Sequence, residues 1–204
     1  WRALSPRPGK QVGRGREVRS RGAASLLSRA DRIERELCVA ANALGHYAPA
    51  LKLLRVVSRL GDGAFWYGLI AVMPLLLGRP GVLVAAQMLA TGAVGLAIYR
   101  HLKSRLVRER PFVRLVGVEC WMPPLDRYSF PSGHTLHAIA FTIIAVSHLP
   151  LLAILLVPFT VLVAASRVVL GLHYPSDVLA GAALGAVLAW ASHGLFERWA
   201  FIVL

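Results

Sequence analysis

Cysteine is scarce in this sequence, and metal-binding patterns are missing. The 204 residues include two cysteines and no Cys-x-x-Cys pair. A disulfide framework and a zinc site both need cysteines in larger number or at closer spacing. We therefore predict neither a disulfide scaffold nor a metal site.

Charged residues are absent from several long apolar stretches. About 18 or more uncharged apolar residues are typical of a helix that crosses a bilayer. A soluble helical core would need polar faces at helical spacing, which these stretches lack. We predict an all-α, polytopic membrane helical bundle with five transmembrane helices, or six if a segment nearer the N-terminus also crosses. The stretches are 64–78, 81–99, 134–149, 151–166 and 178–196, and the first, third and fourth are short.

Acidic residues are also few: 10 Asp and Glu stand against 23 Lys and Arg, which gives a formal net charge of +13. The basic residues lie mainly in the first 60 positions and in the loop after the second apolar stretch. An anionic membrane surface and a phosphorylated substrate explain this placement better than nucleic acid does. We expect membrane lipids and a lipid phosphate as partners, and no nucleic acid.

The N-terminal region differs from the rest of the chain. Residues 1–30 are rich in Arg, Gly and Ser, which predicts a flexible basic tail ahead of a membrane-embedded domain over residues 31–204. Residues 30–60 have an amphipathic helical pattern interrupted by Pro49, Lys52 and Arg55. This pattern predicts a helix that lies on the membrane surface.

Three short blocks with polar side chains stand at the ends of the apolar stretches. Residues 103–111 read KSRLVRERP, residues 131–134 read PSGH, and residues 166–177 read SRVVLGLHYPSD. Because successive spans alternate in direction, the three blocks meet on one side of the membrane. A helix that continues past Tyr99 would carry Lys103 and Arg110 on one face, and Pro111 would end it.

The second and third blocks contain the residue types that phosphoryl transfer needs. Ser132 and Gly133 can donate to an anion at a helix start, although Ser132 could equally be a plain N-cap. His134 titrates near neutrality. Asp177 would orient His173 if a helix restarts near Pro175, although it too could be a cap. Of the two histidines, His173 has a carboxylate close in sequence, which favours it as the nucleophile.

Together the blocks resemble the three-part signature of the type 2 phosphatidic acid phosphatase superfamily. That signature reads K-x6-R-P, then P-S-G-H, then S-R-x5-H-x3-D. Each position is matched in order and with the right spacing. The matching residues are Lys103, Arg110, Pro111, Pro131, Ser132, Gly133, His134, Ser166, Arg167, His173 and Asp177.

The resemblance implies a metal-independent lipid phosphatase without a cofactor, acting through a phosphohistidine. It implies that His173 is the nucleophile, that Asp177 stabilises its imidazolium, and that His134 is the general acid and then the base. The phosphoryl oxygens would be held by Lys103, Arg110, Arg167, Ser132 and Gly133.

The sequence does not decide which lipid is the substrate or which face of the membrane carries the active site. A polyprenyl diphosphate, phosphatidic acid or phosphatidylglycerol phosphate would each suit the site. A vanadate-dependent haloperoxidase and a catalytically silent lipid-binding membrane protein are the alternatives. We expect a bacterial plasma membrane; the resemblance favours an outward active site, whereas the charge pattern with five spans favours an inward one.

Overall fold

A computed structural model describes the backbone of residues 14–203 and the side chains of residues 28–196. Over that range the regular structure is helical and contains no strand, which confirms the prediction of an all-α fold. Two short 3-10 turns, Ala43–His46 and Pro150–Leu152, join longer helices. The helices are α1 (Arg14–Asn42), α2 (Ala48–Gly61), α3 (Ala64–Leu77), α4 (Arg79–Arg105), α5 (Pro111–Arg114), α6 (Gly133–His148), α7 (Ala153–Val169) and α8 (Pro175–Val203).

Three helical segments of the described chain are long and apolar enough to cross a membrane. They are α4, the segment Pro150–Val169 that contains α7, and the part of α8 from Pro175 to Phe196. Helices α2 and α3 pass the same test only as a pair, and they are bent by 54° where they meet. Helix α6 has 16 residues, which correspond to about 24 Å. The five stretches predicted as spans fall on the helices α3, α4, α6, α7 and α8, and of the described helices only α4, α7 with its preceding turn, and α8 are individually long and apolar enough to cross.

The N-terminal region is helical over most of its described length. Helix α1 begins at Arg14, inside the segment predicted as a flexible tail, and residues 1–13 lie outside the described residues. The predicted helix over residues 30–60 is divided: α1 ends at Asn42, a 3-10 turn follows, and α2 begins at Ala48. Pro49 lies in the first turn of α2, where the missing N–H costs nothing.

Helix α6 lies at the centre of the bundle. It packs against α4, α7 and α8, and its side chains Leu136, Ala138 and Ile144 are fully buried. The PSGH block forms the start of this central helix, with Ser132 as its N-cap. The Ser132 N–H donates to the Asp177 carbonyl at 3.0 Å, which joins the second signature block to the third.

One local prediction was wrong. The sequence suggested a single helix that carries Lys103 and Arg110, but α4 ends at Arg105. Arg110 has an extended backbone, with φ −75° and ψ 153°, because the ring of Pro111 disfavours helical geometry in the preceding residue. The two cations still meet, since the chain folds back after α4 and both side chains reach the same carboxylate.

Candidate active site

A cavity of about 380 Å³ opens at one end of the bundle. Five side chains from the three signature blocks line it, so the predicted convergence is found in the structure. They are Lys103, Arg110, His134, Arg167 and His173. Below this polar end the wall becomes apolar and follows α3, α4 and α6, with Ile70, Leu89, Leu96 and Phe141 among its residues.

His173 is placed by the turn that follows α7. The backbone N–H groups of Leu172 and His173 both donate to the carbonyl oxygen of Arg167, at 3.1 and 3.0 Å. Gly171 permits this reversal because its φ is +75°, a value that favours glycine. The third block therefore brings its arginine and its histidine to the same wall of the cavity.

The imidazole of His173 is almost completely buried, with 1 % of its surface exposed. Its Nε2 lies 3.4 Å from Nη1 of Arg110, another residue of the cavity wall, and its Nδ1 lies 3.7 Å from Oδ2 of Asp177. Burial, reinforced by the charges of Arg167 and Arg110, lowers the pKa of His173 well below its ordinary value of 6.5. The ring is therefore neutral at physiological pH, as a nucleophile must be.

Asp177 stands behind His173 in the first turn of α8, as the sequence predicted for a helix restarting near Pro175. Its Oδ2 accepts from the backbone N–H of Tyr174 at 2.8 Å, and its Oδ1 accepts from Arg108 at 2.6 Å. Arg108 also donates to Glu34 of α1 at 2.6 Å. The fully buried carboxylate is thus paired, and Arg108 joins α1 to the first turn of α8.

Lys103 and Arg110 share the carboxylate of Asp126. Lys103 donates to both oxygens at 2.8 and 2.7 Å, and Arg110 donates to Oδ1 at 2.8 Å. Burial alone would raise the pKa of Asp126, but the hydrogen bond and charge of Lys103, with those of Arg110, lower it below 3.8. An ionised carboxylate thus lies against two cations that were predicted to hold phosphate.

Arg167 reaches the cavity from the last turn of α7 and is 2 % exposed. Its Nη1 donates to the hydroxyl of Ser58 on α2. Its Nε is buried and makes no hydrogen bond among the described residues. Arg167 is therefore held against α2 at the wall of the cavity.

His134 begins α6 and faces the corner between α2 and α3. Its Nε2 is hydrogen-bonded to Oδ1 of Asp62, which also lines the cavity. The sequence indicated a carboxylate partner for His173 alone. In the structure His134 also has a carboxylate beside it, that of Asp62.

The PSGH block divides between the cavity wall and the helix start. Gly133 lines the cavity, whereas Ser132 is fully buried and is the N-cap of α6. The Ser132 oxygen accepts from the Thr135 N–H at 3.5 Å and lies 3.0 Å from the Thr135 hydroxyl. Ser132 is absent from the lining formed by the described residues, so its phosphate-binding role stays a prediction.

Sequence reasoning missed several residues of the site, namely Glu34, Ser58, Asp62, Arg108 and Asp126. Asp62 had the clearest signal, because a lone acidic residue stands between two glycines just before the first apolar stretch. Arg108 lies inside the first signature block at an unspecified position. Glu34, Ser58 and Asp126 have no local pattern that sets them apart, since their partners are 16 or more residues away in the chain.

The family model of the PAP2 superfamily matches residues 81–200. The chain belongs to the PAP2 superfamily. Decaprenylphosphoryl-5-phosphoribose phosphatase of Mycobacterium tuberculosis is 32 % identical over 154 residues, which cover 59 % of this chain and 84 % of that protein. Phosphatidylglycerophosphatase B of Bacillus subtilis is 40 % identical over 82 residues, which cover 35 % of this chain and 40 % of that protein.

Two solved structures share the fold. A transmembrane PAP2-type phosphatidylglycerolphosphate phosphatase from Bacillus subtilis superposes with a TM-score of 0.68 at 26 % identity, over 83 % of this chain and 87 % of that one. LpxE of Aquifex aeolicus gives 0.67 at 25 % identity, over 78 % and 93 %. Together with the apolar helices, these similarities identify this PAP2 protein as an integral membrane protein.

Proposed function

We propose that this PAP2 protein hydrolyses a lipid phosphate through a phosphohistidine formed on His173. The protein's family and its relatives are membrane phosphatases, which supports hydrolysis of a phosphate bond on a lipid. The observation that carries the mechanism is the buried, neutral imidazole of His173, which lines the cavity together with three cations and has Nε2 3.4 Å from Nη1 of Arg110.

The first step is attack on phosphorus. Nε2 of His173 forms the bond to phosphorus while the bond from phosphorus to the lipid oxygen breaks. Charge spreads over the three remaining oxygens, and Lys103, Arg110 and Arg167 stabilise it because they surround the same space. Asp177 stabilises the positive charge that develops on the His173 ring.

His134 supplies the proton chemistry of both steps. It gives a proton to the departing lipid oxygen and then takes a proton from the water that attacks the phosphohistidine. The second step releases orthophosphate and restores His173. Fixed cations supply the charge stabilisation, so we expect turnover in the presence of a chelator.

The apolar part of the cavity supports a lipid as the substrate. From Tyr99 at the polar end to Leu89 the lining follows α4 for ten residues, about 15 Å of helix. Leu89 and Tyr67 are strongly exposed, as side chains that face lipid would be. We infer that the phosphate enters the polar end while an acyl or prenyl chain lies along α4.

The names of the relatives indicate which lipid phosphates this protein could hydrolyse. The two curated relatives are named for different lipids, one a decaprenyl derivative and the other a phosphatidylglycerol derivative. Phosphatidylglycerol phosphate, phosphatidic acid and polyprenyl diphosphate all combine an apolar chain with a terminal phosphate. These lipids are the first substrates to test.

We also infer that five helices cross the membrane and that α2 does not. The contacts of α2 lie at the active-site end, where Arg55 donates to the Trp121 carbonyl at 2.7 Å and Ser58 binds Arg167. Helix α1 contacts the same end through Glu34. Five crossings place the C-terminal end of α8 on the face opposite the active site, and we expect a bacterial plasma membrane because the relatives are bacterial.

A phosphate-release assay tests the proposed function. The purified protein in detergent is given phosphatidic acid, phosphatidylglycerol phosphate, a polyprenyl diphosphate and decaprenylphosphoryl-5-phosphoribose, each with a chelator present. We expect orthophosphate from at least one lipid and none from His173→Ala. No release from any of them would favour a silent lipid-binding protein, and peroxide-dependent halide oxidation would favour a haloperoxidase.

A further inference from the structure

The corner between α2 and α3 is built to hold one acidic side chain at the cavity. It has the sequence Gly61-Asp62-Gly63, and the helices bend by 54° there. Gly63 has φ +148°, which a residue with a side chain rarely adopts. Gly61 packs closely on α7, because a Cβ at that position would lie 3.1 Å from the Val163 side chain. The two glycines thus fix where the carboxylate of Asp62 lies.

The carboxylate of Asp62 is committed to His134. Its Oδ1 is hydrogen-bonded to Nε2 of the His134 ring, and the side chains are 27 % and 11 % exposed. Over residues 28–196, His134 is the only ion-pair partner of Asp62. The three cations of the cavity have other contacts, since Lys103 and Arg110 bind Asp126 and Arg167 binds Ser58.

We propose that Asp62 is a positioning residue that holds the general acid and base His134 in one orientation and one tautomer. This inference rests on the proposed function. Asp62 accepts the Nε2–H of the ring, which leaves Nδ1 as the nitrogen that exchanges a proton with the substrate. The carboxylate also stabilises the imidazolium whenever Nδ1 is protonated.

The proton balance of both steps runs through that nitrogen. As Nε2 of His173 bonds to phosphorus and the lipid oxygen leaves, Nδ1–H of His134 gives its proton to that oxygen. Water then attacks the phosphorus, and its proton passes to Nδ1 of His134. The phosphorus–nitrogen bond breaks, and orthophosphate is released. The site therefore works as two histidine–carboxylate pairs: His173 with Asp177 transfers phosphorus, and His134 with Asp62 transfers protons.

The test measures kcat and KM of purified Asp62→Asn and Asp62→Glu on the lipid phosphate that the wild-type protein hydrolyses best. An uncharged amide at this position cannot stabilise the imidazolium, so we expect the kcat of Asp62→Asn to fall about 10- to 100-fold. This loss is smaller than the rate enhancement that a general acid and base usually supplies, because His134 itself is retained. KM should stay within about twofold, because Asp62 does not hold the phosphate. The carboxylate of Asp62→Glu should recover part of the lost kcat.

Asp31→Asn is the matched control, since Asp31 is an exposed carboxylate on α1 outside the cavity. Thermal unfolding of each variant in detergent separates positioning from folding. A kcat for Asp62→Asn within twofold of the control would overturn the inference while leaving the proposed function intact. So would a loss that follows a lowered thermal midpoint and is not recovered by Asp62→Glu. Absence of phosphate release from the wild-type protein and Asp31→Asn alike would instead overturn the proposed function.

Discussion

Nδ1 of His173 lies 3.7 Å from Oδ2 of Asp177, too far for a hydrogen bond and close enough for an ion pair once the ring carries a positive charge. Both residues are almost completely buried, and the Nδ1 atom has no hydrogen-bond partner among the described residues. Asp177 is held by the N–H of Tyr174 and by Arg108. A movement of under about 1 Å would bring the ring into hydrogen-bond range, as often happens when substrate binds. We therefore expect the ring to close on this carboxylate when substrate binds.

Replacing Asp177 with Asn should slow phosphorylation of His173. The amide has no charge with which to stabilise the imidazolium formed as phosphorus is attacked, so we expect kcat to fall at least about 100-fold. Phosphate release under steady-state conditions measures the effect. Activity within tenfold of wild type would show that the 3.7 Å separation never closes.

Arg108 should stabilise the fold of the protein. It pairs with Asp177 and Glu34, donates to the Ser176 hydroxyl at 2.7 Å, and stacks 3.9 Å from the ring centre of Tyr174. Arg108→Met leaves the buried Asp177 charge unpaired, which costs about 3 kcal/mol of unfolding free energy. For a domain of this size that corresponds to a thermal midpoint lower by about 6–12 °C.

Arg105→Met is the control for that variant, because Arg105 is an exposed residue at the end of α4. Its midpoint should stay close to that of wild type. Equal midpoints for the two variants would show that the network between α1 and α8 contributes nothing to stability.

Asp126 should compete with phosphate for two cations. Its carboxylate occupies donors of Lys103 and Arg110 that face the cavity. We expect Asp126→Asn to bind orthovanadate, a phosphate mimic, about fivefold more tightly, which corresponds to about 1 kcal/mol for one partly exposed ion pair. Inhibition of phosphate release as a function of vanadate concentration measures the change. Weaker inhibition would mean that Asp126 instead orders the two cations for the anion.

The two native cysteines can report the orientation of the active site. Cys120 is exposed in the loop on the active-site side. Cys38 is buried, and burial, with Glu34 and Asp177 nearby, raises its pKa to about 12, so its thiol is unreactive. If the site faces outward, an impermeant maleimide should label intact cells, and Cys120→Ser should remove the label. Labelling only after the cells are broken would place the site in the cytoplasm.

The helical bundle and the convergence of the signature blocks could be predicted because they depend on local sequence. The charge-free stretches predicted the apolar helices. The expected alternation of crossings predicted that Lys103, His134 and His173 lie together, and all three line one cavity. The start of α8 at Pro175 followed from one residue whose fixed φ suits a first turn. These features can be predicted without knowing which side chains are in contact.

The partners of those side chains could not be predicted, since they come from distant segments. The bond between Asp62 and His134 joins positions 72 residues apart, and the bond between Ser58 and Arg167 joins positions 109 apart. The end of α4 at Arg105 was also missed, because spacing alone suggested that the helix continues to Arg110. In each case the structure depends on tertiary contacts, and these cannot be derived from a single sequence.

Detection of a phosphohistidine at position 173 tests the proposed mechanism most directly. The protein is mixed with the lipid phosphate that it hydrolyses, quenched within milliseconds in alkali, digested and analysed by mass spectrometry. We predict an acid-labile, alkali-stable phosphate on His173, and none in His173→Ala, which should also release no orthophosphate. Phosphate on another residue, or steady turnover by His173→Ala, would contradict the account.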